Sequence, residues 1–379
     1  MATIGIDASR AISTAPTGTE AYSAHLIRAM AAEGANAHVM RLYLRETPSA
    51  ALQDILDAND HVAARVIPLP RLWTHVRLSW EMLRHPPSLL FVPAHVLPLH
   101  HPRRALVTVH DLGFLAFPEA HPAGQRRYLA WSTHWNVRQA SHILADSFAT
   151  RDAVTTTYRV PPERITVAYP GYGSDIAPVR GSRLLHQVRE RYKIPGDYIL
   201  FIGSIQPRKN LTRLIEAFGH IASDREDVSL VLAGPAGWLA EPIKAQVAAS
   251  GLKTRVLFPG YIAEEDKAAL ISGARLFAYP SLYEGFGFPV LEAQACGTPL
   301  LTSTTSSLPE VTGDGGWLVD PEDVAAIADG LSRLLDDEAL RSRLVAAGFQ
   351  NLARFSWERT ARQVWDVIER QMGGCVSGG

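Results

Sequence analysis

Glu284-Gly285-Phe286-Gly287-Phe288-Pro289-Val290-Leu291-Glu292 sets two carboxylates on either side of a two-glycine turn. Gly285 and Gly287 lack side chains, so backbone N–H groups there can approach a ligand closely. Pro289 is a favoured residue at the start of a helix. The N–H groups then lie at a helix N-terminus, where an anion is stabilised. A diphosphate fits that place. Glu284 precedes the turn and Glu292 lies about one helical turn beyond it, so both can face one pocket. Carboxylates accept hydrogen bonds from hydroxyls, which suits one acid for a sugar and one for a ribose. In the plainer reading the glycines only form a turn and Glu292 is a first-turn carboxylate.

Three further stretches combine loop glycines, charge and strand ends. In Phe201-Ile202-Gly203-Ser204-Ile205-Gln206-Pro207-Arg208-Lys209-Asn210 two adjacent cations precede a helix. Cations are unfavourable there on dipole grounds, so their placement makes sense if they hold an anion at that spot. Arg208 and Lys209 would neutralise a diphosphate and stabilise charge on a leaving group; a solvated basic pair is the alternative. Val107-Thr108-Val109-His110-Asp111-Leu112 ends an apolar strand in His-Asp. His110 could contact a transferred group, and Asp111 could fix its tautomer or cap the next segment. With 14 histidines in the chain, one more structural histidine is the competing reading. In Ala15-Pro16-Thr17-Gly18-Thr19-Glu20, Gly18 and the helix start could meet phosphate or an acceptor, and Glu20 could accept a hydroxyl. A capped turn with Thr17 or Thr19 as N-cap explains the same residues.

The elements that must position these residues alternate. Residues 4–6, 38–44, 88–92, 105–109 and 143–145 read as strands, and 20–32 and 128–140 as helices. Residues 169–195 gather prolines and glycines and read as a connection. A second alternation follows, with strands at 198–202, 228–233, 255–258, 276–279, 299–302 and 316–319. Helices are expected at 211–222, 241–250, 267–272, 289–296, 324–335 and 357–372. Strand–helix alternation implies parallel sheets covered on both faces, and ligands bind outside the carboxyl ends of such strands. Two doubly wound domains with the site in the cleft between them are expected.

Composition sets outer bounds. The chain has 379 residues, formal charge −1, 47% hydrophobic and 20% charged residues, which fits a two-domain globular protein and argues against a general nucleic-acid binder. Cys296 and Cys375 make no disulfide scaffold and no metal spacing. No signal peptide or bilayer-spanning run is expected, so a cytoplasmic protein is, and residues 373–379 are expected to be disordered. No Asp-x-Asp, Walker loop or early Gly-x-Gly-x-x-Gly occurs, so metal-held diphosphate, ATPase and dinucleotide readings lose their main support. Arg65, Arg71, Arg77, Arg84, Arg103 and Arg104 interleave with Leu72, Trp73, Trp80 and Leu83. Peripheral contact with the inner membrane surface is one reading of that pattern; core tryptophans beside solvated arginines is the other.

Taken together, Glu284-Gly285-Phe286-Gly287 with Glu292 resembles the paired-glutamate signature of the family 4 retaining glycosyltransferases. The resemblance covers nearly the whole chain. It includes Gly203 through Asn210, Leu232-Ala233-Gly234, Phe258-Pro259-Gly260-Tyr261, Tyr279-Pro280-Ser281 and Cys296-Gly297-Thr298-Pro299. His110-Asp111-Leu112 with Phe117-Pro118-Glu119 is similar to the mannosyltransferase-B-like branch. The resemblance implies the GT-B fold: an α/β protein of two Rossmann-like doubly wound domains facing across a cleft, with a C-terminal helix crossing back to the N-terminal domain. The expected boundaries are 1–175 with the helix 356–372 for the acceptor domain, 176–196 for the linker and 197–355 for the donor domain.

The resemblance also implies roles. Glu284 binds donor-sugar hydroxyls, Glu292 the ribose, and Arg208 and Lys209 the diphosphate. His110 approaches the donor sugar. Gly203, Gly260, Gly285, Phe286, Gly287 and Phe288 line the donor site, and Tyr261 lies near the base. Gly18, Thr19 and Glu20 form the acceptor or phosphate loop; many members carry two glycines where Gly18-Thr19 stands, so backbone contact there is in question. Transfer with retention, no metal and no other cofactor are implied. The expected partners are a nucleotide-sugar donor, with GDP-mannose leading and a UDP-sugar or dTDP-rhamnose next, and a saccharide or lipid-linked acceptor. A non-catalytic nucleotide-sugar sensor and a phosphorylase are the other classes weighed; the first conflicts with the intact charged set, the second with the chain length.

Overall fold

Runs of consecutive apolar residues form the strands, because a parallel strand is covered by helices on both faces. Leu89–Val92 and Ala105–Val109 are buried along their whole length. The computed structural model describes residues 1–12, 18–33, 38–120, 122–173, 175–237 and 239–373. The expected disorder at the C-terminus (apart from Gly373), Cys375, and the alternative N-cap Thr17 lie outside the described residues. The chain divides into two compact units. The first comprises Met1–Leu112, Ala123–Gly171 and Phe355–Gly379, and the second Gly113–Pro122 and Tyr172–Arg354.

The first unit holds β1 (Ala2–Asp7), β2 (His38–Leu44), β3 (Val62–Val66), β4 (Leu89–Val92), β5 (Ala105–Val109), β6 (His142–Ala145) and β7 (Ile165–Val167). They form one parallel sheet in the order β3-β2-β1-β4-β5-β6-β7. The second unit holds β8 (Asp197–Ile202), β9 (Val228–Ala233), β10 (Val256–Gly260), β11 (Leu276–Tyr279), β12 (Leu300–Ser303) and β13 (Trp317–Val319). Its parallel sheet runs β10-β9-β8-β11-β12-β13. In both units the chain starts at a central strand, winds to one edge, then returns to fill the other side. The winding reverses between β1 and β4 and between β8 and β11, and ligands bind at such switch points.

The helix Trp357–Met372 belongs to the first unit. Its apolar stripe, including Ala361, Val364, Val367 and Ile368, is buried. Trp365 Nε1 donates to the Met30 carbonyl at 3.1 Å, and His38 pairs with Glu369 at 2.8 Å. Ser356 caps its start by accepting from Arg359 N. Gly171 allows the close approach, since a Cβ there would lie 2.4 Å from the Trp357 backbone nitrogen. The C-terminal helix thus returns to the N-terminal sheet, as the resemblance implies.

Some elements depart from expectation. The helix expected at 128–140 runs Ala123–Gln139. Strands β3 and β7 and the helices Phe148–Tyr158 and Glu338–Asn351 were not anticipated. β3 exposes four of its five residues and β7 is three residues long, so neither carries a readable apolar run. The segment 176–196 contains the helix Ser182–Arg191, tied within the second unit by Tyr192 Oη donating to Asp266 at 2.8 Å. Among the described residues no helix is long and apolar enough to cross a membrane.

Candidate active site

At the switch point of the second unit, the loops leaving β8 and β11 meet. Pro207–Lys209 forms a short 3₁₀ turn, and Asn210, in the left-handed region at φ 60°, starts the helix Leu211–Ala222. The Asn210 amide donates to the carbonyls of Pro280 (3.1 Å) and Pro321 (2.6 Å), which fastens the β8 loop to the β11 loop. Arg208 Nη1 lies 3.0 Å from Glu284 Oε2 and also donates to the Tyr283 carbonyl. Lys209 Nζ lies 2.6 Å from Glu284 Oε1 and 2.6 Å from the Tyr279 hydroxyl. That hydroxyl in turn donates to Glu284 Oε1 at 3.0 Å.

Lys209 and Glu284 are both buried. Burial alone would raise the Glu284 carboxyl, but the charges of Arg208 and Lys209 outweigh it and bring it down to about 2. Burial, then the Glu284 charge, pushes the Tyr279 phenol well up, so it stays neutral and acts as a donor. Two cations and one carboxylate leave this cluster with one positive charge in excess, the electrostatics an entering anion needs. Ser306 and Ser307 hold the β11 loop in place. Ser306 Oγ accepts from Glu284 N at 2.9 Å, and Ser307 Oγ donates to the carbonyls of Glu284 and Phe286.

Gly287, at φ 105°, is the N-cap of the helix Phe288–Ala295, so the helix starts one residue earlier than expected and Pro289 is its second residue. Phe286 is buried against Phe288, with ring centroids 5.2 Å apart. Glu292 lies in this helix, and its Oε1 pairs with Lys267 Nζ at 2.6 Å. Burial would lower the Lys267 ammonium, but the Glu292 charge outweighs it and holds it above its ordinary value. Glu292 Oε2 is buried with no hydrogen-bond partner among the described residues. Each glutamate of the pair therefore has cations of its own, Arg208 and Lys209 for Glu284 and Lys267 for Glu292. Gly203, Gly234 and Gly260 stack at the carboxyl ends of β8, β9 and β10, with Gly234 N donating to the Gly260 carbonyl at 2.7 Å. Tyr261, beside them, is exposed.

In the first unit, His110 follows β5 and Asp146 follows β6. His110 Nδ1 lies 2.6 Å from Asp146 Oδ2, and Nε2 donates to the Pro93 carbonyl at 3.0 Å. Burial opposes charge on the ring, but the Asp146 carboxylate outweighs it and raises His110 above its usual value. The residue that orients His110 is thus Asp146, which the expectation for Asp111 missed: neighbouring strands bring the two side chains together across 36 residues. The strand-end pattern Ile143-Leu144-Ala145-Asp146 was the available signal. Gly18 and Thr19 open the helix Gly18–Ala32, the Thr19 carbonyl accepts from Ser23 Oγ, and Glu20 meets Arg10 at 3.4 Å. Thr19 is therefore inside the helix and not its cap. Lys267, Ser306 and Ser307 were also missed, because none stands in a motif that local spacing marks; Tyr279 stands in the Tyr279-Pro280-Ser281 motif but was given no role. Among the described residues no three His, Cys, Asp or Glu side chains gather as metal ligands would.

Comparison with known proteins shows the family. The family model "Glycosyltransferase Family 4" matches residues 16–175, and the family model "Glycosyl transferases group 1" matches residues 187–351. The chain is 34% identical over 289 residues to the O-antigen chain mannosyltransferase B of Escherichia coli, covering 76% of this chain and 75% of that protein. It is 32% identical over 238 residues to the serotype-specific mannosyltransferase WbdA of Escherichia coli, covering 61% of this chain and 29% of that longer protein. Sucrose-phosphate synthase from Thermosynechococcus elongatus shares its fold, with a TM-score of 0.76 at 20% identity over 98% of this chain and 100% of that one. Two Rossmann-like sheets, paired glutamates after β11 and a cation pair after β8 thus stand in a sequence that aligns along most of its length with known transferases: the chain belongs to the family 4 glycosyltransferases of GT-B fold.

Proposed function

We propose that this glycosyltransferase moves mannose from GDP-mannose, with retention and without a metal, onto a saccharide or lipid-linked saccharide during polysaccharide or glycolipid assembly at the cytoplasmic face. The observation that carries the reading is the buried Arg208–Glu284–Lys209 cluster at the switch point, with its excess positive charge. The activity named for the mannosyltransferase relatives supports the choice of sugar.

In this mechanism the bond from the anomeric carbon to the diphosphate oxygen breaks while the acceptor oxygen bonds to that carbon on the same face. The acceptor proton passes to the departing diphosphate. Arg208 and Lys209 stabilise the charge that grows on the diphosphate, in place of a metal ion. Glu284 fixes both cations and takes hydroxyls of the sugar, and His110 is assigned to the transferred hexose. The unpartnered Glu292 Oε2 supports its assignment to the ribose. Rate enhancement then comes from positioning and fixed charge, with no dedicated base.

The test is a thermal-shift panel of GDP, UDP, dTDP and ADP with their common sugar conjugates, since a ligand of the folded state raises its stability. A shift with GDP and GDP-mannose alone supports the donor, and a shift with UDP or dTDP alone replaces it while keeping the fold. Transfer that survives EDTA, with an α-configured product from the α-configured donor by NMR, supports the metal-free retaining course. An inverted product overturns it.

A further inference from the structure

One face of the first unit is apolar and strongly basic at the same time. Leu72, the cap just before the continuous helical run of Trp73–Leu78 and Ser79–Arg84, and Val76, Trp80 and Leu83 within it recur at spacings of four, four and three. All four are more than half exposed. The expectation that these large residues are core therefore holds for Trp73, which is buried, and fails for Leu72, Trp80 and Leu83. Tyr128 and Trp131, exposed on the helix Ala123–Gln139, extend the patch. His75 joins the two helices: its Nε2 lies 3.3 Å from the Tyr128 hydroxyl and its ring 5.4 Å from that of Trp131.

Charge surrounds this patch. Residues 61–110 contain six arginines and a single carboxylate, Glu81, and Ala123–Gln139 contains three arginines and no carboxylate. Glu81 is buried and already paired with Arg65 at 3.1 Å and Arg77 at 3.3 Å, so it offsets little of the surface charge. The chain as a whole carries −1, so the positive balance here comes from the scarcity of carboxylates around the arginines. The Arg84 guanidinium lies 4.5 Å over the Trp80 ring, an arrangement in which the aromatic body is buried in an interface and the cation reaches a phosphate. Exposed Trp and Leu on one helix face with arginines around them match an interfacial helix on an anionic membrane.

We propose that this face docks on an anionic lipid bilayer, with Leu72, Val76, Trp80, Leu83 and Trp131 entering the headgroup layer and the surrounding arginines on lipid phosphates. A cavity of about 300 Å³ in the same unit opens beside it. Leu72, His75 and Tyr128 belong to both the cavity lining and the patch, and Arg10 and Arg45 also line the cavity. Docking therefore brings the mouth of a cation-bearing cavity to the lipid surface, where the head of a lipid-linked acceptor reaches it. Only this last use rests on the transfer reading; lipid binding stands without it.

The test is flotation of the full chain with phosphatidylcholine vesicles, with and without roughly 30% phosphatidylglycerol, at low and high salt. Binding to the anionic vesicles alone, released by salt, is expected. Trp80→Glu with Leu83→Glu abolishes it, and Arg71→Gln, Arg84→Gln, Arg126→Gln and Arg127→Gln each weaken it about fivefold. An unchanged thermal midpoint and an unchanged nucleotide thermal shift show that the variants fold and keep their donor site. Wild-type protein that binds neither vesicle, or variants that bind as well as wild type, overturns the proposal. So does a wild-type dimer that Trp80→Glu converts to monomer with no lipid binding, which makes the face a contact between copies.

Discussion

The two units share one strand order through their first six strands and differ in what stands at the carboxyl edge of the sheet. In the second unit the edge is ionic: Arg208, Lys209 and Glu284 compensate one another in a buried cluster, and Lys267 compensates Glu292. In the first, the edge carries the His110–Asp146 pair, which sums to no net charge, and His95, His142 and Asp7 are set largely by desolvation. Burial, reinforced by nearby arginines, brings His95 and His142 down to about 4, and burial pushes Asp7 up to about 6. The same scaffold thus makes one edge suited to a multiply charged anion, and another whose charge is displaced outward onto an aromatic, arginine-rich face. A nucleotide diphosphate asks for the first, whereas acceptors differ in chemistry and place no such common demand on the second.

The sharpest way to break this contrast is to remove the cations of the second unit. Arg208→Ala and Lys209→Ala are each expected to lower kcat on the order of a thousandfold at saturating donor. Near-normal turnover in both would leave the cluster a structural feature. The glycine stack comes next. Gly234 has φ 134°, and a Cβ there would lie 2.1 Å from the Gly203 carbonyl oxygen, which is backbone and cannot swing away. Gly234→Ala should destabilise the fold by about 3 kcal/mol or more, read as a lowered urea midpoint.

Acid should separate the units. The depressed histidines of the first unit contribute stability that is present above the unfolded value near 6.5 and lost as pH falls toward 4. Asp7, raised, runs the other way between about 6 and its ordinary 3.8, and offsets about one histidine. His110 and Asp146, both raised, run with Asp7 as pH falls, and His75, lowered, runs with His95 and His142, so the share of those two histidines is the difference between wild type and a His95→Gln, His142→Gln variant. Glu284, held at about 2, keeps its contribution until pH drops below about 4.5 and loses it toward 2. Six of the eight tryptophans belong to the first unit, so fluorescence-monitored urea unfolding reports it, and from pH 7 to pH 5 the wild-type midpoint should lose ground to that of the His95→Gln, His142→Gln variant. An unchanged difference between the two midpoints would mean the histidines are solvated.

Smaller effects sharpen the assignment. Lys267→Met leaves Glu292 without its cation and should raise donor KM about tenfold while changing kcat little, the cost of one lost charged partner. Ser356→Ala removes the cap of the last helix and should cost about 1 kcal/mol without touching donor affinity.

Much of this architecture was legible because it is local. The buried strands β5, β8 and β9 are unbroken apolar runs or nearly so, and the last helix shows its stripe at Trp357, Val364, Trp365 and Ile368. The cation pair and the paired glutamates were visible as types at strand ends. Their partners were not. Lys267 lies mid-helix in a segment whose spacing marks no site, and Asp146 is distant in sequence from the histidine it orients. β3 and β7 at the sheet edge lack the burial that writes a pattern into sequence.

The sequence by itself determined two doubly wound parallel sheets and which residues end their strands, because apolar periodicity and turn chemistry are set by neighbours a few positions apart. That Glu284 closes on Arg208 and Lys209, 76 and 75 residues away, was decided only by the tertiary structure. The winding reversal lays β8 beside β11, so two loops remote in the chain share one edge, and no short-range pattern records which strands become neighbours.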